Sequence, residues 1–125
     1  MSRTMTAEEC ISAVGKMQKY SKIPMLVAAN FEAGGNGMIV GGTAFGRQMA
    51  VAATGEVEQA RRLGEVCGAE GAAVGANWSF APIIDIDYNW RNPITNTRTF
   101  GSDPETVKNF GKAYVEEVQK HGLAA

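Results

Sequence analysis

Parallel β/α units are the fold class the sequence predicts, and three observations predict it. Segments with helical periodicity alternate with short apolar runs, the connections between successive runs are too long for hairpins, and polar clusters stand just beyond the end of each run. Strand, helix, strand with a long connection implies parallel strands joined by right-handed crossovers, an α/β fold. Binding residues in such folds lie beyond the C-terminal ends of the strands. The clusters Asn30/Glu32 and Asp85/Asp87, together with Arg98, all fall there.

The elements follow in order. Thr6 and Glu9 have the spacing of a capping box, in which hydroxyl and carboxylate each satisfy an orphan backbone donor, so a helix should run from about Ala7 to Tyr20. Ile23 to Ala29 is a continuous apolar run without alternation, which suits a strand buried on both faces. The glycine-rich run AGGNGMIVGGTAFG, from Ala33 to Gly46, reads as a loop. Thr54 is placed to cap a helix through about Val74, with Val57, Ala60, Leu63, Val66 and Cys67 on its core side and Gly75 as the stop. Trp78 to Ile84 reads as a second strand, although Pro82 has no N–H for a ladder. It delivers Asp85 and Asp87 at its end.

The loop that follows, DIDYNWRNPITNTRTFG, holds about 15 residues, long for a compact domain. Three aromatics and only one proline, with no flexible serines, favour an ordered, functional loop. Asp103 before Pro104 is an N-cap followed by the favoured first-turn proline, while Ser102 with Glu105 offers a competing capping box. A helix then runs to about His121, with Val107, Phe110, Ala113, Tyr114, Val118 and Val115 facing the core, and Gly122 ends it. Leu123, Ala124 and Ala125 read as the start of a third strand.

Composition narrows the function. The 125 residues fit one domain, and a formal net charge of -1 from 12 basic and 13 acidic residues carries none of the electrostatic footprint of a nucleic-acid or anionic-membrane binder. A small polar partner is expected. No apolar stretch reaches the roughly 18 residues of a membrane span, and MSRTMTAEEC has no apolar signal core, so a cytoplasmic location is expected, with a removed leader left open. Cys10 and Cys67 read as buried thiols.

The glycine-rich run could cradle a phosphate, but a Rossmann loop joins strand directly to helix, and no P-loop lysine follows. Asp85 and Asp87 point the same way from a strand end; they suit a site, or else anchor the loop through amides or pair with Arg98 or Arg91. No histidine stands near to complete a metal shell, and His121, in the last turn of a helix, reads as structural. Trp78 suits the core and Trp90 a pocket rim. The guanidinium of Arg98 offers five fixed donors, suited to hydroxyls or a carboxylate at a pocket mouth.

Taken together, IPMLVAANFEAGG, NWSFAPIIDID and TRTFGSDPETVKNFGKAYVEEVQKHGLAA, in this order and spacing, resemble the N-terminal catalytic domain of glycoside hydrolase family 3, the group holding β-N-acetylglucosaminidases and β-glucosidases. The likeness covers nearly the whole chain. It implies a (β/α)₈, TIM-type barrel, of which residues 1–125 would form the first half, since a full barrel takes about 250 residues. It also implies that Arg98 contacts the sugar in the first subsite, that Asn30 stands where relatives commonly have a sugar-binding aspartate, and that Asp85 and Asp87 support the site. Ala33 departs from the glycine or basic residue usual nearby. Retaining glycosidases use a nucleophilic carboxylate and an acid/base about 5 to 5.5 Å apart, and the family supplies both from later segments. The expectation is therefore a carbohydrate-binding portion of such an enzyme, with no catalytic residue, metal or cofactor of its own, inactive in isolation and self-associating through exposed edges. A non-catalytic carbohydrate-binding or assembly module and a nucleotide-binding α/β domain are the alternatives.

Overall fold

The computed structural model describes residues 5–125; the first four residues, part of the N-terminal stretch read above as having no signal core, lie outside the described residues. The first helix, α1 (Ala7–Tyr20), starts as its capping box requires: the Thr6 hydroxyl accepts from the Glu9 N–H at 3.3 Å, and the Glu9 carboxylate accepts from the Thr6 N–H at 2.8 Å. Two strands follow in parallel, β1 (Ala28–Ala29) and β2 (Trp78–Ser79), with Ala28 opposite Trp78 and Ala29 opposite Ser79. On the other edge of β2, Trp78 forms a parallel bridge with Ala124, so the chain end does lie as a third line of the sheet.

Both strands are much shorter than their apolar runs, and the sheet is covered on one face only. Val27, Ala29 and Phe31 are buried beneath the helices, whereas Leu26 is 69% exposed. Ser79 and Ala81 alternate with exposed Trp78 and Phe80 in the same way. This corrects two expectations, a strand buried on both faces and a core Trp78. The period of two along a strand sends alternate side chains to opposite faces, and helices pack on just one of them. Trp78 and Phe80 instead meet edge to face on the open side, with ring centroids 5.0 Å apart.

Where the ladder stops, side-chain amides take over its hydrogen bonds. Gln18 brackets Met25, accepting from its N–H and donating to its carbonyl, both at 2.9 Å. Asn77 accepts from the Val27 N–H at 2.7 Å and donates to the Met25 carbonyl at 3.1 Å. Gln48, 1% exposed, exchanges the same pair of bonds with Ile83, each 3.0 Å long. A carboxamide has the donor and acceptor of a peptide group, so it can stand in for a neighbouring strand.

A short helix, α2 (Gln48–Ala52), lies between the glycine-rich loop and Thr54, a stretch to which the sequence pattern assigns no element. The next helix, α3 (Val57–Ala73), is preceded by Glu56, which makes no side-chain cap bond. Thr54 is therefore not its cap: its hydroxyl accepts from the Glu56 N–H and donates to the Val51 carbonyl, closing the end of α2. Val57 is exposed, and the buried face of α3 is Ala60, Leu63, Gly64, Cys67, Gly68 and Gly71. Gly64 lets α4 (Pro104–Lys120) come close, since a Cβ there would lie 2.7 Å from the Tyr114 carbonyl oxygen, while Gly71 makes room for Leu123 and Phe31. His121 packs over Gly68 in the same seam, a structural position. Asp103 wins the competition to cap α4, its carboxylate accepting from the Thr106 N–H at 2.8 Å, and Pro104 occupies the first turn. Val107, Phe110, Ala113, Tyr114 and Val118 are buried, Val115 half-buried at the core margin.

Candidate functional site

The C-terminal end of β1 opens directly into a pocket of about 300 Å³, whose walls include Asn30, Glu32, Asn36, Arg47, Gln48 and Arg98. The glycine-rich loop forms one side. Phe45 and Gly46 donate to the Ala33 carbonyl at 2.9 and 3.2 Å, and Asn36 donates to that of Thr43 at 3.2 Å, so the loop doubles back on itself. Gly34 holds φ +117°, and a Cβ there would lie 2.1 Å from the Thr43 carbonyl oxygen. From below, the Glu70 carboxylate on α3 accepts from the backbone N–H of Thr43 at 3.1 Å and from its hydroxyl. A Cβ on Gly35 would collide with that carboxylate. The run that looks like a phosphate cradle in sequence is thus a pocket wall stapled to α3.

Arg98 reaches the pocket from a 3-10 turn, Asn96–Arg98, at the end of the long loop. Its guanidinium grips Glu32 with two nitrogens: Nε donates to Oε2 at 2.8 Å, and Nη2 donates to Oε1. Nη1 donates to the Ile94 carbonyl at 3.4 Å. Asn30 completes the cluster, with Nδ2 donating to Glu32 Oε1 at 2.8 Å. The hydrogen bonds from Arg98 hold the Glu32 carboxyl below its ordinary range, the Asn30 amide and the charges of Arg98 and Arg47 add to this, and burial opposes it. Arg98 is raised in turn, first by its bonds to Glu32. Asn30 Oδ1 is buried and has no hydrogen-bond partner among the described residues.

Of the four residues singled out by sequence, Asn30 and Arg98 meet in this pocket. Asp85 and Asp87 do not line it. Asp85 is exposed, and its charge reaches Arg98, contributing to the rise in that pKa. Asp87 donates its backbone N–H to the Gly101 carbonyl at 3.0 Å, while its Oδ1 is buried without a hydrogen-bond partner among the described residues. Neither aspartate pairs with Arg98 or Arg91. Glu32 has taken Arg98, and Arg91 lies over the exposed Trp90 ring, 5.0 Å from its centroid. Asn36, Arg47 and Gln48 are polar pocket residues that the sequence did not single out, and Glu32 stood out only as a member of the Asn30/Glu32 cluster. That glutamate carried the available signal, because a lone carboxylate three residues past a strand end is well placed for an arginine.

The other titratable groups below the sheet are sealed. Burial pushes the Cys67 thiol up to about 11 and raises the Tyr114 hydroxyl well above its ordinary value. Cys10 is buried as well, so both cysteines are interior thiols. Among the described residues no group of three or more His, Cys, Asp or Glu side chains is placed to hold a metal ion, and no helix is long and apolar enough to cross a membrane.

Parallel strands that end in a polar pocket, under a layer of crossover helices, define a β/α domain of the binding or catalytic kind. The glycosyl hydrolase family 3 N terminal domain matches residues 1–125, and the chain belongs to that family. It is 48% identical over 125 residues to the beta-N-acetylglucosaminidase/beta-glucosidase of Cellulomonas fimi, a match covering 100% of this chain and 22% of that protein. Among solved structures, beta-glucoside phosphorylase BglX superposes with a TM-score of 0.92 at 48% identity, over 95% of this chain and 22% of the other. A glycoside hydrolase family 3 beta-N-acetylglucosaminidase from Paenibacillus sp. str. FPU-7 superposes with a TM-score of 0.93 at 28% identity, over 100% of this chain and 25% of the other. The chain therefore spans between a fifth and a quarter of these relatives' lengths.

Proposed function

We propose that these residues form the opening part of a TIM-type barrel and supply the sugar-contacting pocket of an enzyme acting on β-linked glucosides or N-acetylglucosaminides. The observation that carries this reading is the Arg98–Glu32–Asn30 cluster. Glu32 fixes the plane of the guanidinium, so its remaining N–H groups sit at a fixed place on the pocket wall beside the orphaned acceptor Asn30 Oδ1. A sugar hydroxyl can accept from a guanidinium N–H and donate to an amide oxygen at once, and a polar site of this kind discriminates by leaving its groups unpaired when the hydroxyl is missing. Asp85 and Asp87 support the surrounding loop, and Asp85 adds negative charge near Arg98. The nucleophilic carboxylate and the acid/base come from segments outside these residues.

The likeness to a protein described as a beta-glucoside phosphorylase supports a second form of the same reading, in which the glycosyl group passes to phosphate rather than to water. A purely carbohydrate-binding role is the competing class. The deciding experiment compares the 125-residue chain with Arg98→Ala and with Asp85→Asn/Asp87→Asn. Titrations use methyl β-glucoside and methyl β-N-acetylglucosaminide, and hydrolysis assays use the corresponding chromogenic glycosides. Saturable binding weakened about tenfold or more by Arg98→Ala, with no turnover above the buffer rate, is the expected result. Binding indifferent to Arg98→Ala, or turnover abolished by the aspartate changes, overturns it.

A further inference from the structure

We propose that Arg47 forms an oxyanion subsite on the wall of this pocket, taking a phosphate or carboxylate group beside the neutral sugar. The inference rests on the sugar-pocket reading for its setting and on the local charge balance for its content. The pocket is lined by two guanidinium groups, Arg47 and Arg98, and one carboxylate, Glu32. Both oxygens of Glu32 are already engaged, Oε2 by Arg98 Nε, and Oε1 by Arg98 Nη2 and Asn30 Nδ2. Arg98 is thereby neutralised. The side chain of Arg47 has no ion pair or hydrogen-bond partner among the described residues, although it is near enough for its charge to act on Glu32.

The neighbouring chain cannot supply a counter-ion. Residues 33–46, which form the adjacent wall, contain no aspartate or glutamate. The backbone around Arg47 is held in place on both sides. Gly46 donates to the Ala33 carbonyl, the Arg47 carbonyl accepts from the Val51 N–H at 3.1 Å, and the buried Gln48 carboxamide is fixed to Ile83 by two bonds. The backbone is fixed, while the exposed side chain carries a planar fork of donors, free of a protein partner among the described residues, that can turn toward whatever enters the pocket. Charge-assisted pairing with a phosphate or carboxylate matches that fork better than a neutral hydroxyl does. The site differs from a glycine-loop phosphate cradle, because a side chain rather than backbone amides carries the recognition.

The test titrates the 125-residue chain, its Arg47→Gln and its Arg47→Lys variants with inorganic phosphate, methyl β-glucuronide and methyl β-glucoside, following the Arg47 Nε–H resonance and the amide spectrum. Phosphate binding that shifts Arg47 Nε–H and weakens about tenfold in Arg47→Gln, with Arg47→Lys between and methyl β-glucoside unchanged within about twofold, supports a free oxyanion as the ligand. Arg47-dependent binding of the glucuronide but not of phosphate supports the subsite with the anion borne on the sugar. Phosphate and glucuronide affinities that are equal in the wild type and Arg47→Gln, or undetectable in both, overturn the proposal. If Arg47→Gln loses its folded amide spectrum, the wild-type Nε–H shift and the Arg47→Lys affinities decide by the same criteria. Loss of methyl β-glucoside binding alone would remove the sugar reading and leave the oxyanion subsite standing.

Discussion

Tyr114, buried in α4, donates its hydroxyl hydrogen to the carbonyl of Phe31 at 2.6 Å. Phe31 separates Asn30 from Glu32, so this bond ties the helix layer to the backbone that presents the pocket cluster. Tyr114→Phe leaves that carbonyl buried without its donor. The expected cost is about 1–3 kcal/mol, read as a lower urea midpoint with an unchanged slope.

The Glu32–Arg98 pair gives a pH dependence with a defined sign. The folded-state pKa of Glu32 is lowered by Arg98, so its contribution to stability is fully present above the unfolded glutamate value of about 4.3 and is lost as pH falls through the lower folded value. Thermal unfolding followed from pH 6 down to about pH 3 should lose stability more steeply in the wild type than in Glu32→Gln, which has no carboxylate to protonate there. Parallel curves for the two proteins would contradict the assignment.

Two glycine-to-alanine changes should move stability in opposite directions. At Gly64 the new methyl would lie 2.7 Å from the Tyr114 carbonyl oxygen, forcing α3 and α4 apart at an expected cost of about 1–3 kcal/mol. At Gly15, within α1, nothing stands within 4 Å of the added carbon. There the helix should gain roughly 0.5–1 kcal/mol from reduced backbone freedom in the unfolded chain. Calorimetric melting of the two variants checks both signs.

Glu70→Ala should free the glycine-rich loop without disturbing the core. Its carboxylate is the acceptor for the Thr43 N–H and hydroxyl, and no other group replaces it after the change. Hydrogen exchange at Thr43, Asn36 and Phe45 should accelerate, while the buried turns of α3 and α4 keep their protection.

Sequence pattern made the long elements legible and left the non-local ones hidden. The ends of α1 and α4 were readable because their caps are local chemistry: Thr6 with Glu9, and Asp103 with Thr106, are each three residues apart. The lengths of β1 and β2 were not, because an apolar run states that a segment is buried somewhere, not how far a partner strand accompanies it. Helix α2 escaped for the opposite reason, being five residues long and preceded by Arg47, which makes no side-chain cap bond. In the pocket, the positions beyond the strand ends were foreseeable from the topology of parallel units. The partner of Arg98 was not, since Glu32 lies 66 residues away and two aspartates nearer in sequence were equally plausible by charge alone.

The stand-in amide at Asn77 also sets a limit on how the protein can age. Its Oδ1 receives the Val27 N–H and its Nδ2 supplies the Met25 carbonyl, so one side chain faces both a donor and an acceptor of the same strand segment. Deamidation would convert it to a carboxylate that still accepts from Val27 but turns a second negative oxygen toward the Met25 carbonyl. A chemical change of one atom group, with no cut in the chain and no altered contact in the core, would then loosen the entrance to β1 and the pocket beyond it.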